Sequence, residues 1–169
     1  MGSAVIRTLA RSLIARGLAA FVVALLLAAC ASHPKLVWHS FSADGVFDGW
    51  AQTVDLLEYK YGDQFAMAQR QNEKGLGYRF GVNGPMPVAE FLYVKWRLKA
   101  TGEVIEQRVD LRDRLPENME GHYVTFVIDQ RQLYVYVATP TEIKVNLPKP
   151  PLKTYLSRHT VTYEIYPNN

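Results

Sequence analysis

Cysteine is almost absent from this chain of 169 residues, because Cys30 is its only one. A disulfide within the chain is therefore excluded. Catalytic signatures are also missing: there is no G-x-S-x-G nucleophile elbow, no phosphate-binding loop and no H-E-x-x-H pair. No internal repeat of fixed period and no low-complexity tract occurs either. We therefore predict no catalytic residues.

Metal-binding patterns are weak as well. The chain has four histidines, His33, His39, His122 and His159. No two of them are three or four positions apart, the spacing that zinc ligands usually show in at least one pair. Asp44-Gly45 and Asp48-Gly49 offer oxygens to calcium, but the terminal glutamate of an EF-hand is missing, and ordinary turn chemistry accounts for both pairs. We predict no metal site.

One pair of carboxylates has a spacing that suits acid–base chemistry. Asp110 and Asp113 lie in the segment DLRDR, and two neighbouring carboxyl groups are a common acid–base arrangement. Arg108, Arg112 and Arg114 stand beside them, and surface ion pairs of this kind contribute little energy. We expect ion pairs here in preference to a catalytic pair.

Acidic side chains are absent from residues 1–29, where the charged residues are Arg7, Arg11 and Arg16. Residues 17–29, GLAAFVVALLLAA, contain no polar side chain. A basic segment followed by a short apolar run is typical of a secretory signal peptide, whereas a spanning helix needs about 20 apolar residues. We predict that residues 1–29 are a removable signal peptide; the alternative is an uncleaved signal anchor, which the short run disfavours.

The end of this leader, Leu27-Ala28-Ala29-Cys30, resembles the lipobox of bacterial lipoproteins. The resemblance covers residues 1–30. It implies that the sulfur of Cys30 receives a diacylglyceryl group, that the leader is cut before Cys30, and that the new amino group is acylated. Two or three acyl chains, at about 0.8 kcal/mol per buried CH₂, give stable anchoring in a bilayer. Beyond this covalent lipid we expect no cofactor.

The residue after the cysteine bears on the destination. In lipoproteins of this kind an Asp at that position favours retention in the inner membrane, and here the position holds Ala31. The resemblance therefore implies a cell-envelope protein in the outer membrane, facing the periplasm. The expected partners are the lipid bilayer, through the acyl chains, and an envelope protein.

The positive charge of the precursor belongs to its leader. The chain has 19 basic and 16 acidic residues, a net charge of +3, and the three leader arginines account for the excess. Residues 30–169 are thus formally neutral, which gives no support for nucleic-acid binding. We predict a short lipidated tether at residues 30–36 and one β-rich domain at 37–169, a normal size for one core.

Alternating apolar and polar side chains predict strands. Residues 91–99 and 103–111 form a predicted hairpin, and residues 122–129 and 133–138 form a second one whose strands are buried on both faces. Further strands are predicted at 37–42, 54–61, 78–82, 142–147 and 160–166. A helix is predicted at 64–74. The expected fold is mainly β, an antiparallel sandwich or partly open barrel with one or two short helices, and the alternative is an α+β antiparallel sheet.

Tyrosine is common in the predicted domain, and it suits interfaces because a large apolar ring ends in a polar group. A basic stripe opposite these tyrosines, formed by Lys95, Arg97 and Lys99, is a candidate contact for acidic lipid head groups or for a partner. The candidate interaction surface comprises Tyr134, Tyr136, Tyr163, Tyr166, Lys95 and Arg97; the alternative is ordinary, solvated sheet faces. We expect a non-enzymatic interaction or structural module, with an inhibitor or immunity-type lipoprotein and an envelope hydrolase as alternatives.

Overall fold

Two β-sheets packed face to face form the domain in this computed structural model, which describes residues 34–70, 73–140, 150–153 and 161–167. The strands are β1 (Leu36–Asp44), β2 (Val54–Tyr61), β3 (Phe65–Ala68), β4 (Arg79–Pro87), β5 (Phe91–Leu98), β6 (Val104–Asp110), β7 (Tyr123–Asp129), β8 (Gln132–Thr139) and β9 (Val161–Tyr166). Between β1 and β2 lie a single helical turn, α1 (Gly45–Asp48), and a 3-10 turn (Trp50–Gln52).

One sheet has the strand order β4-β1-β7-β8-β9 and the other β3-β2-β5-β6. The neighbours pair antiparallel with the exception of β1 and β7, which pair parallel. The described strands therefore form an antiparallel-rich sandwich and not a closed barrel, which confirms the predicted fold class. Helix among these described residues is limited to the two short turns, so the α+β alternative is wrong.

Both predicted hairpins are present. Strands β5 and β6 pair from Phe91↔Asp110 to Arg97↔Val104, and β7 and β8 pair around a tight turn at Gln130. Five consecutive residues of β7 are buried, as expected for a strand covered on both faces. Alternation identified the first hairpin, and β-branched and aromatic residues on either side of a short link identified the second. Both were recognisable because the partners are close in sequence.

The helix predicted at residues 64–74 is wrong where the structure describes that segment. Residues Phe65–Ala68 form the edge strand β3, which pairs with β2 from Tyr61↔Phe65 to Glu58↔Ala68. The Phe65 ring lies 6.0 Å from the Phe41 ring, centroid to centroid. Ala and Met are good helix formers, but helix propensity is a weak preference, and pairing with β2 outweighs it here.

Aromatic rings fill much of the space between the sheets. Phe41 stacks on Tyr61 with centroids 4.6 Å apart, and Tyr59 stacks on Phe80 at 4.0 Å. The Trp96 side chain is fully buried, and its Nε1 donates a hydrogen bond to the backbone oxygen of Gln130 at 2.9 Å. Each such ring contributes about 1.5–3 kcal/mol by burial.

A short segment from the long connection between β8 and β9 covers part of the five-stranded sheet. Leu152 is buried, and the backbone N–H of Lys153 donates to Oδ1 of Asp48 at 2.8 Å. The strand predicted at 142–147, and the leader with Cys30, lie outside the described residues. Within the described ranges, no helix is long and apolar enough to cross a membrane.

Candidate interaction surfaces

Tyr134 and Tyr136 lie on the outer face of the five-stranded sheet, with ring centroids 6.5 Å apart. Tyr134 is half-buried, but Tyr136 is fully buried. The Tyr136 hydroxyl lies beside the backbone of Leu152 and near Glu164, and burial raises its pKa above the ordinary tyrosine value. Tyr136 is therefore not part of an exposed surface, a correction to the prediction. Alternation placed the two tyrosines on one face but gave no sign that a distant segment covers it.

Tyr163 and Tyr166 lie on the opposite face of the five-stranded sheet from Tyr134 and Tyr136. Tyr163 is the cross-strand partner of Val137, so it points to the opposite side of the sheet from the first pair. Both rings are half-buried and pack against the core. The Arg114 guanidinium lies 5.7 Å from the Tyr166 ring centroid, and its Nη1 donates to the backbone oxygen of Ile165 at 2.7 Å. The four tyrosines thus do not form one surface.

Lys95 and Arg97 lie on the outer face of the other sheet, so they are not neighbours of the tyrosines. Lys95 Nζ lies 3.4 Å from Glu106 Oε2, and Lys99 Nζ lies 3.6 Å from Asp55 Oδ1. Arg97 is the cross-strand partner of Asp55. Acidic side chains are interleaved with the basic ones, so this face has mixed charge and offers no special attraction to acidic lipid head groups.

The carboxylate pair at the end of β6 is not assembled for catalysis. Arg112 Nε donates to both oxygens of Asp110, at 2.9 and 3.1 Å, and this pairing lowers the Asp110 pKa to about 2. The neighbouring depression, of about 230 Å³, is lined by Glu90, Phe91, Arg108, Asp110 and Arg112. Neither Asp113 nor His122 lines it. Asp110 therefore stays ionised at neutral pH and is a poor general acid.

The two Asp-Gly pairs have structural partners. Asp44 Oδ1 accepts the backbone N–H of Phe47 at 3.0 Å and so caps α1, while Asp44 Oδ2 accepts from Arg79 Nε at 2.8 Å. Asp48 accepts the backbone N–H of Lys153, as described above. These contacts use both carboxylate oxygens of Asp44 and one of the two of Asp48.

One buried histidine lies in the core at the middle of β1. His39 Nδ1 is 2.8 Å from the backbone oxygen of Val37, and Nε2 is 3.0 Å from the Tyr61 hydroxyl. Burial is the main cause that lowers the His39 pKa from 6.5; the charge of Glu120 opposes this shift, and His122 adds to it. This arrangement suits a neutral, structural imidazole.

The exposed apolar side chains near the start of the domain were missed from the sequence. Leu36 is 59 % exposed, Trp38 53 % and Tyr123 36 %. Alternation puts Leu36 and Trp38 on the outer face of β1, and Tyr123 lies on the same face of β7 because it pairs with Ser40. We call Leu36, Trp38 and Tyr123 the apolar patch. The period-two pattern of β1 could have revealed the patch: if His39 and Phe41 point inward, Leu36 and Trp38 must point outward.

Comparisons of the chain with protein-family models, with curated proteins and with solved structures gave no match.

Proposed function

We propose that the chain is the precursor of a bacterial envelope lipoprotein, anchored through Cys30, whose domain acts by contact with another envelope molecule and not by catalysis. The observation on which this depends is the segment Leu27-Ala28-Ala29-Cys30 directly after a basic and then apolar leader. A thiol at that position is the nucleophile that a thioether-linked diacylglyceryl group requires. Alanines before it leave room for a peptidase to bind the backbone closely.

The described residues support the non-enzymatic part of the proposal. Three of the four carboxylates that sequence analysis singled out have structural partners: Asp110 pairs with Arg112, Asp44 with Arg79 and a helix N-terminus, and Asp48 with a backbone N–H. The fourth, Asp113, is exposed. A general acid or base needs a pKa near the working pH, and the low pKa of Asp110 is far from it. A hydrolase would need a different constellation.

Mass spectrometry of the protein purified from its host tests the anchor. We expect a polypeptide that begins at Cys30 and has the added mass of a diacylglyceryl group and an amide-linked acyl chain. Cys30→Ser should accumulate as an uncleaved chain without lipid, whereas Ser32→Ala, two positions beyond the motif, should be processed normally. An unmodified polypeptide that still begins at Met1 contradicts the proposal.

Crosslinking in the native cell tests the second part. The anchored protein, treated with a short crosslinker and purified under denaturing conditions, should yield one recurrent adduct with an envelope protein. A protein that is lipidated but stays alone at every crosslinker length would leave the anchor standing and overturn the role in protein contact.

A further inference from the structure

We propose that the apolar patch, Leu36, Trp38 and Tyr123, rests in the head-group region of the bilayer to which Cys30 is attached. This inference rests on the proposed function, since it needs the lipid anchor. It assigns to the start of β1 a second membrane contact and gives the domain a fixed orientation on the membrane surface.

The length of the tether brings the patch to the membrane. Leu36 is six positions after Cys30, and a fully extended chain spans at most about 3.5 Å per residue, or about 20 Å in all. The bilayer's polar region is itself several ångströms thick, so the first strand of the domain begins within reach of it. Among the described residues, no other exposed large hydrophobic side chain is as close to Cys30 in the chain as Leu36 and Trp38.

The chemistry of the patch suits that region. Tryptophan and tyrosine are enriched at membrane–water interfaces because an apolar ring with one polar group fits the boundary between head groups and acyl chains. The cross-strand partners of Leu36 and Trp38 are Pro87 and Pro85, which add uncharged surface at the edge of the sheet. The patch is therefore continuous with more apolar area.

The patch is held on rigid backbone. β1 lies between β4 and β7 in the sheet, and the Trp38 carbonyl accepts the N–H of Gly121 at 2.8 Å. Because the patch does not have to be ordered on binding, contact with lipid costs little conformational entropy.

The charges around the patch are mixed. Lys35 is exposed beside it, and Glu120 Oε2 accepts the backbone N–H of Trp38 at 3.3 Å. One cation and one anion give no preference for anionic lipid, so the contact should form on zwitterionic phosphatidylcholine. This separates it from binding by a polybasic segment, which needs anionic lipid.

Intrinsic fluorescence provides a direct test, because the chain has three tryptophans and two of them are buried: Trp50 is 3 % exposed and Trp96 is 0 % exposed. The lipidated protein is inserted into phosphatidylcholine vesicles, with and without bromine on the acyl chains. We expect a blue shift of the emission, quenching by brominated lipid and loss of quenching by aqueous acrylamide. Trp38→Phe should remove all three changes.

A matched control moves the reporter to another exposed site. Val104 is 48 % exposed on β6, in the other sheet. In a Trp38→Phe/Val104→Trp variant the new tryptophan should stay open to acrylamide on vesicles. If the wild-type protein is lipidated and bound to vesicles but its Trp38 also stays open to acrylamide, this inference is overturned and the proposed function stands. A protein without lipid on Cys30 overturns the proposed function as well.

Discussion

The hydroxyl of Tyr61 lies 3.0 Å from Nε2 of His39, and this contact joins the two sheets inside the core. Because Nδ1 of the same ring faces the backbone oxygen of Val37, the consistent assignment is a neutral imidazole whose Nδ1–H donates and whose Nε2 accepts from the Tyr61 hydroxyl. The backbone of Ala89 also lies within hydrogen-bonding reach of that hydroxyl. Both ring nitrogens of His39 thus have partners in the neutral form, and burial disfavours the charged form.

The free energy of unfolding should therefore fall in mild acid in a way that depends on His39. Burial lowers the folded-state pKa from 6.5, so below pH 6.5 the unfolded chain takes up the proton first and becomes relatively more stable. The loss begins near pH 6.5 and continues down to the lower, folded-state pKa. Urea denaturation from pH 7.5 to 5 should show a shallower pH dependence in His39→Gln than in the wild type.

The half-buried His122 provides the control for that comparison. Its Nδ1 is 3.0 Å from the backbone oxygen of Glu120, outside the core. His122→Gln should keep most of the wild-type pH dependence. If His39→Gln and the wild type lose stability in parallel, the neutral, buried imidazole is not the source of the acid sensitivity.

Removal of a tyrosine hydroxyl should lower the free energy of unfolding more in the core than on an exposed face. Tyr61→Phe leaves a buried ring nitrogen without its donor, and such a loss costs about 1–3 kcal/mol in the free energy of unfolding. Tyr93→Phe removes a hydroxyl that donates to Glu106 on an exposed face and should cost about 0.5 kcal/mol or less. Chemical denaturation of both variants at pH 7.5 measures the difference, and equal losses would contradict it.

Gly45 should tolerate no side chain. A Cβ there would stand 2.5 Å from the Trp50 ring, which is itself held against Phe126 and Tyr78. Gly45→Ala should lower the free energy of unfolding by about 1–3 kcal/mol through overpacking. At Gly77 the nearest atom to such a Cβ is 4.0 Å away, so Gly77→Ala should be neutral or stabilising by up to about 1 kcal/mol. Similar losses in both variants would show that the Trp50 contact is not decisive.

Features encoded by neighbours in the chain were predictable from the sequence. The alternation in residues 91–99 defines a strand, and its partner is only a turn away, so pattern and pairing agree. The same reasoning identified β2 with its exact bounds, Val54–Tyr61. It did not identify the parallel pairing of β1 with β7. These strands are about 80 residues apart, and a local pattern of side chains does not show which distant strand is the partner.

The candidate surface depended more on distant contacts and was predicted less well. Tyr136 was included in the candidate surface although its strand was predicted to be buried on both faces. Its burial involves Leu152, which approaches from the β8–β9 connection. Trp38 was not singled out from the sequence at all. His39 takes the inward position on β1, and the Trp38 ring is 53 % exposed. A two-residue period gives the alternation but not which of the two faces is buried.

Asp48 should hold residues 150–153 against the sheet. Its Oδ1 accepts the backbone N–H of Lys153 at 2.8 Å, in a part-buried contact in which Asp48 itself is 5 % exposed. Asp48→Ala removes a hydrogen bond to a charged acceptor, which costs about 1–3 kcal/mol. Because Lys153 is a trypsin site, the variant should be cleaved after Lys153 faster than the wild type under native conditions.

Two variants separate release of this segment from general loss of stability. Asp48→Asn keeps an oxygen at the same place, so its cleavage after Lys153 should lie close to that of the wild type. Asp113→Ala removes an exposed carboxylate and should change neither stability nor cleavage. If Asp48→Ala is cleaved at Lys153 no faster than the wild type, the carboxylate does not hold the segment. If Asp48→Asn is cleaved as fast as Asp48→Ala, the charge matters more than the oxygen, because an amide accepts the same hydrogen bond more weakly than a carboxylate does.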